Sequence, residues 1–275
     1  MALLLLKTCA VIYGVAAVLG VIQLLGPRLR DERIGAIALG VGALFHLVAM
    51  GARSADLGSF PMANTHDALS LFGFTVAVIA MVMASSNRVP QVAPIAAVMV
   101  AIVVSLAVLV EPAHSVPDRF RSPWLPVHIA LAFLGNAAFV VAGMVATVYL
   151  AKDGRLRQKG SRRRPGLGGL PALELLDRMS VRLIELGFPL MTLAIVSGAM
   201  YGREVWGTWW KWELRNVLSV MVWVLFALLL HFRITIGWRG RKAALLTVFG
   251  VVATLVSLVG LNLLGFGHHG QDLAS

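Results

Sequence analysis

Charge is scarce in this chain. Only 13% of its 275 residues are Asp, Glu, Lys or Arg, about half the share carried by a soluble globular domain. A water-facing surface cannot be covered from so few charges, which excludes a soluble enzyme. Cysteine is nearly absent: Cys9 stands alone. There is therefore no disulfide framework and no CxxC pair, and the chain is not itself a thiol–disulfide carrier. No fixed-period repeat points to a solenoid. No acid–base pair or nucleophile stands out as the necessary agent of a reaction. Acidic residues are the scarcer sign, with 13 Asp and Glu against 24 Lys and Arg, a formal net charge of +11.

What replaces charge is apolar length. The chain is 59% hydrophobic, with a mean hydropathy of +0.83. Roughly 20 apolar residues cross a bilayer as a helix. Eight such runs occur, at about 4–26, 34–52, 67–86, 91–110, 127–151, 182–201, 216–235 and 243–264. They consume most of the length and leave no room for a sizeable soluble domain. The expectation is an all-α polytopic membrane protein of about eight transmembrane helices, with residues 1–275 forming a single transmembrane domain. The first run is longer than a signal-peptide core, lacks a charged n-region and carries Lys7 within it, so it reads as a retained span.

The basic excess is placed rather than spread. With the N-terminus outside, the connections at 27–33, 87–90, 152–182 and 233–242 face the cytoplasm, and they hold seventeen of the 24 Lys and Arg. This is the positive-inside asymmetry, which predicts external N- and C-termini. It makes the lipid bilayer, not nucleic acid, the partner of the charge. The loop 152–181 is the basic cytoplasmic one: Arg-, Gly- and Pro-rich through Gly169, then an amphipathic surface helix from Pro171 to about Arg182. It is suited to anionic lipid. The external connections (53–66, 111–126, 202–215 and the tail from 265) are richer in aromatics, prolines and histidines.

Four of the seven tryptophans occupy one stretch, Trp206-Gly207-Thr208-Trp209-Trp210-Lys211-Trp212, followed by Glu213. Indole favours a membrane boundary, being largely apolar with one N–H that needs a partner. Four in seven residues exceed what anchoring needs. With Trp124 in another loop, the external segment 202–215 reads as an aromatic surface for a large planar ligand, porphyrin being the candidate. A short helix here would set Trp206, Trp209 and Trp210 on one face, with Trp212 off it. Arg203, Glu204, Glu213 and Arg215 flank the cluster. The arginines suit porphyrin propionates, or else the glutamates beside them.

Histidine is the residue best suited to axial iron ligation. His46, His66, His114, His128, His268 and His269 gather in the outer half or outside, leaving only His231 deep. His128 opens the fifth span and His269 follows the eighth, so both can converge on one plane. His66 and His114 read as hydrated or supporting loop residues. His231 lies roughly 22 Å below the outer surface and His46 about 9 Å, at 1.5 Å per residue. A His46–His231 pair on one iron therefore does not fit.

Together these residues resemble the cytochrome c assembly family of haem-handling membrane proteins, nearest its CcsA (ResC) subgroup, with HemX-type relatives beside it. The family's WGxWWxWD signature is matched by Trp206 to Trp212, with Glu213 for the aspartate. A following tryptophan and Leu-His-x-Arg are matched by Trp223 and Leu230-His231-Phe232-Arg233. The segment Gly237 to Ala244 is also similar, Ser-x-Trp-Leu-x-x-His is matched by Ser122 to His128, and GxNLLGxGLH by Gly260 to His269. Two places depart: Glu213-Leu214-Arg215-Asn216 replaces WD-P-K-E, and Asn64-Thr65-His66-Asp67 replaces N-x-Y-E.

The resemblance implies haem b as substrate or ligand, with His128 and His269 as axial ligands at the Trp206, Trp209, Trp210, Trp212, Trp124, Glu213, Arg215 surface. It implies His231 as a transmembrane ligand completed by a CcsB/ResB-like partner; His46 and His268 are weaker candidates. It further implies apocytochrome c as client, the bacterial inner (plasma) membrane as location, and at most a share in a holocytochrome c synthase complex. A HemX-like role in haem handling or haem-biosynthesis control is the alternative. A cytochrome b-type electron carrier is a remote one, since it needs depth-matched histidine pairs, and a small-molecule transporter without haem is a third reading.

Overall fold

The computed structural model describes residues 1–25, 32–62, 64–86, 89–112, 122–157 and 171–260. Among the described residues the chain forms eight α-helices: α1 (Ala2–Leu25), α2 (Glu32–Leu57), α3 (Thr65–Ser86), α4 (Val92–Leu109), α5 (Trp124–Arg157), α6 (Leu173–Trp206), α7 (Leu214–Thr235) and α8 (Arg241–Leu255). A π-helical turn, Val256–Gly260, continues α8. All eight are long and apolar enough to cross a membrane, the last by including that turn. In lipid every backbone N–H and C=O must find a partner within the protein, which is why apolar runs of this length become helices.

Two expectations about boundaries change. The surface helix expected from Pro171 and the span expected from 182 are one continuous helix of 34 residues, α6. The apolar face that Leu176, Met179, Leu183 and Ile184 bury carries straight into the span, so nothing breaks the helix at Arg182. Likewise α5 runs on to Arg157, past the expected end at 151. The tail beyond Gly260, with His268 and His269, and the loop segment with His114 lie outside the described residues.

Helices α1 to α4 pack on one another, α1 against α2 and α4, and α3 against α4. Helix α5 joins this group through α3 and is the pillar of the second group, with α6 and α8 against it and α7 resting on both α6 and α8. Its middle, Gly135 to Met144, is buried along every face. Lipid tails are as apolar as leucine, so close backbone approach does the work of packing here. A side chain at Gly135 would lie 3.1 Å from the carbonyl of Gly187, and one at Gly143 would lie 2.5 Å from Val251.

Ion pairs close the bundle at both ends. At the end carrying the tryptophans, Arg53 donates to Asp67 at 2.9 Å, the carboxylate side chain being wholly buried. At the other end Arg233 pairs with Asp177 at 3.1 Å, and Asp177 also accepts the Gly240 N–H that opens α8. Asp153 there receives both Arg157 and Arg241.

Candidate functional site

The tryptophan segment is not a short helix. Helix α6 ends at Trp206 because Gly207 takes a left-handed conformation (φ 73°) and returns its N–H to the carbonyl of Arg203, the usual way a helix is closed by glycine. Residues 207–213 follow without regular structure, and α7 begins at Leu214. Side chains hold this loop. Arg203 donates to the carbonyl of Gly207 and lies 6.0 Å from the Trp209 ring centre. The Lys211 ammonium sits 4.5 Å above Trp206, a cation–π contact. Asn216 donates to the carbonyl of Lys211 at 2.9 Å. The departure at Asn216 thus has a structural role: its amide ties α7 back to the loop.

The rings do not form one flat shelf. Trp206 meets Tyr201 edge-on, and Trp210 and Trp212 stand nearly perpendicular at 6.0 Å. Trp209 is 59% exposed and Trp212 86% exposed. The loop presents indole faces and edges in several directions. Trp124 is the first residue of α5, not part of a loop. Its N–H is received by Ser122, whose own hydroxyl donates to Glu204 at 2.7 Å. That bond pins the start of α5 to the end of α6.

His128 lies one turn into α5. Its Nδ1 stands 2.8 Å from the carbonyl of Ala194 in α6. A carbonyl only accepts, so Nδ1 carries the proton of this bond, and Nε2 is the nitrogen left for another partner. This is how proteins orient an imidazole that binds a metal. Arg215 lies in the first turn of α7, three residues after Trp212. The ends of α5, α6 and α7 therefore bring together His128, Arg215 and the tryptophan loop. An imidazole nitrogen, a guanidinium and exposed indoles are groups of the kind that could meet the iron, propionates and macrocycle of a haem. Arg203 and Glu204 are turned to the protein itself.

The other histidines divide. His46 is fully buried, with Nε2 2.9 Å from the Ser70 hydroxyl and Nδ1 3.4 Å from that of Tyr13. Both ring nitrogens are engaged, and the ring packs edge-on to Phe74. It lies about 16 Å from the end of α2, which runs on to Leu57, past the expected end of that run at 52. His66 is not a hydrated loop residue. It is buried in the first turn of α3, with Nδ1 donating to the carbonyls of Ala107 and Val110 at 2.8 and 3.2 Å. It caps α4, whose last carbonyls have no helical partner. Its neighbour Asn64 accepts the Asp67 N–H at 3.0 Å and caps α3, a standard use of asparagine. The stretch from Asn64 to Asp67 is thus a joint between α2, α3 and α4.

His231 is exposed on the flank of α7, about 26 Å from its start at Leu214, with Thr235 at 3.3 Å from Nδ1. It and His46 are the two histidines within spans away from the tryptophan end. They stand at different distances from that end, and one is buried while the other is exposed. Among the described residues no group of three or more His, Cys, Asp or Glu could hold a bare metal ion.

Sequence reasoning did not find Ala194, the partner of His128, or Ser122–Glu204, the bond that joins their helices. Nothing in the pattern around a backbone carbonyl marks it as an acceptor for a residue 66 positions away; only the crossing of α5 and α6 does.

Comparison with known proteins bears on this end of the bundle. A sequence profile described as cytochrome C assembly protein matches residues 62–269. Among similar chains is the cytochrome c biogenesis protein CcsA of Prochlorococcus marinus, 30% identical over 77% of this chain and 76% of that one. Those of Microcystis aeruginosa (29% identical, 86% of each chain) and Gloeothece citriformis (30%, covering 86% and 87%) are similar over more of their length.

Proposed function

The chain is a multi-pass membrane protein of the cytochrome c assembly protein family, and from that premise we propose that it takes up haem b and holds it at the tryptophan end for attachment to an apocytochrome c. The observation that carries the reading is His128: an imidazole whose Nδ1 is committed to Ala194, leaving Nε2 to a ligand beside the loop of Trp206, Trp209, Trp210 and Trp212. In this reading His269 would be the second histidine to hold the iron. Bis-histidine ligation needs two nitrogens on opposite faces of the macrocycle, and the ends of two different helices can provide them.

The attachment itself is the addition of a cysteine thiol across a haem vinyl group. A carbon–sulfur bond forms, the vinyl double bond becomes single, and the thiol proton ends on carbon, with no change in redox state. The protein's part is position, iron ligation and exclusion of the wrong orientation. Arg215 offers a charge-assisted hydrogen bond to a propionate. The basic, opposite end faces the cytoplasm of a bacterial inner membrane, so the tryptophan loop is external. His231, open on the side of α7, takes haem within the membrane together with a histidine from a CcsB/ResB-like partner.

The test is an absorption spectrum of the full chain purified in detergent and supplied with haem. A low-spin Soret and sharp ferrous bands are expected. His128→Ala and His269→Ala should each convert them to a high-spin spectrum, while His268→Ala leaves them intact. Absence of any bound haem refutes the reading; loss at His268 alone refutes the register of the tail. Haem binding without effect on holocytochrome c levels in a deletion strain would favour the HemX-like role.

A further inference from the structure

Helix α6 comes unusually close to His128. A methyl group added at Gly198 would lie 2.8 Å from both Cε1 and Nδ1 of the imidazole. The carbonyl that receives Nδ1 belongs to Ala194, one helical turn earlier on the same face. The Nδ1–Cε1 edge of the ring therefore abuts a patch of bare backbone that exists only because residue 198 has no side chain. Other glycines in this seam serve helix packing: Gly135 meets the backbone of Gly187, and Gly187 meets Phe139. Gly198 alone, among the glycines described on α6, opens onto a histidine.

We propose that Gly198 is a positioning residue for haem ligation: its missing side chain lets the His128 imidazole reach the Ala194 carbonyl and so fixes which nitrogen, and which ring plane, is offered to the iron. This rests on the reading of His128 as an axial ligand and adds the device that sets its orientation. An ordinary carbon–carbon contact is about 3.5–4.0 Å. A β-carbon at 198 thus pushes the ring back by about 0.7 Å or more. Ala194 and Gly198 share a face, so the same retreat stretches the 2.8 Å bond to the edge of hydrogen-bond range. The ring is then free to rotate or to change tautomer, and Nε2 is no longer held toward the ligand. Helix α6 does not suffer, since alanine is the better helix former. A loss at this position is therefore a loss of orientation, not of fold.

Ser197 adds to the same point. Its hydroxyl donates to the carbonyl of Leu193 at 2.8 Å and lies 3.1 Å from that of Ala194. The Ala194 carbonyl thus has a second donor ready when the imidazole is displaced, and the displaced ring must compete to return.

The experiment titrates haem into the full-length chain carrying Gly198→Ala, Gly198→Val, His128→Ala or the double change Gly198→Ala/His128→Ala. The control is Gly20→Ala, an equally tight site against Pro94 on α1 and α4. Gly198→Ala is expected to lower the affinity for haem about 10- to 100-fold, the usual effect of losing the partner that orients a metal-bound histidine. It should shift the spectrum toward high spin, and added imidazole should restore the low-spin form. The double change should be no worse than His128→Ala, because residues acting through one another are not additive. Gly198→Val should match His128→Ala; if it does not fold, the alanine variant still decides. If Gly198→Ala binds haem as the unaltered chain does while His128→Ala does not, the positioning role is wrong and the site reading stands. If the losses add and imidazole restores nothing, Gly198 is merely structural and the proposal falls. If His128→Ala itself keeps the low-spin spectrum, the reading of the site fails and takes this one with it.

Discussion

Asp67→Ala separates the fold of the tryptophan end from its ligand chemistry. The Asp67 side chain is wholly buried and that of Arg53 is 13% exposed. The guanidinium reaches both carboxylate oxygens, at 2.9 and 3.5 Å. Removing one member of a buried pair leaves an uncompensated charge, which costs about 3–5 kcal/mol. Loss of an anion from the first turn of α3 adds roughly 0.5 kcal/mol. For a chain of this size each kcal/mol moves the melting midpoint by about 2–4 °C, so a fall of about 7–22 °C is expected by circular dichroism in detergent. Replacing the pair by apolar groups, Arg53→Met with Asp67→Leu, should recover most of it, because a buried pair gains little over well-packed hydrophobes. The haem spectrum of the single variant, recorded below its midpoint, should be unchanged. A midpoint within about 2 °C of the parent would refute the energetic argument. Loss of haem at an unchanged midpoint would refute the structural one, placing Asp67 on the ligand instead.

Three further outcomes follow from other contacts. Trp223 donates its indole N–H to Thr192 at 2.8 Å and stacks on Phe188; Trp223→Phe keeps the stacking and should cost about 1 kcal/mol, with a coupling of similar size to Thr192→Val in a double-mutant cycle. His46→Leu strips partners from Tyr13 and Ser70 and should lower the midpoint by about 1–3 kcal/mol equivalent per stranded group, with the Soret band unmoved; a shifted Soret would make His46 a ligand after all. Alkaline phosphatase fused after Trp209 should be active and fused after Arg163 inactive, and the reverse pattern would invert the assigned orientation.

Much of this protein is legible before folding. Long apolar runs with few charges specify spans, because lipid allows no other arrangement of a single polypeptide's backbone than a helix or a closed barrel. All eight runs became helices. The family motifs pointed to the residues around Trp206 and to His128 as they stand in the chain, and the profile match covers both. What misled was local pattern at the ends of elements. The spacing of Trp206, Trp209 and Trp210 reads as a helix face, but Gly207 ends α6 before that face can form. His66 and Trp124 looked like loop residues, yet each lies in the first turn of a helix, since Asn64 and Ser122 supply caps two residues before them. A cap is a bond between particular atoms, and composition does not reveal it.

The sequence by itself determined the membrane, the number of crossings and the end at which tryptophan and histidine gather. Those follow from transfer free energies that each residue carries wherever it sits. It also marked four histidines within the described spans without saying which is open. Only the tertiary structure decided that: His46 is closed by Tyr13 and Ser70, His66 by the end of α4, while His231 stands open on α7. His128 is held by one nitrogen against a glycine-cleared strip of α6. The physical reason is that a ring nitrogen's availability depends on which carbonyl or hydroxyl a neighbouring helix brings within 3 Å of it, and that is fixed by how helices cross, not by the order of residues within any one of them.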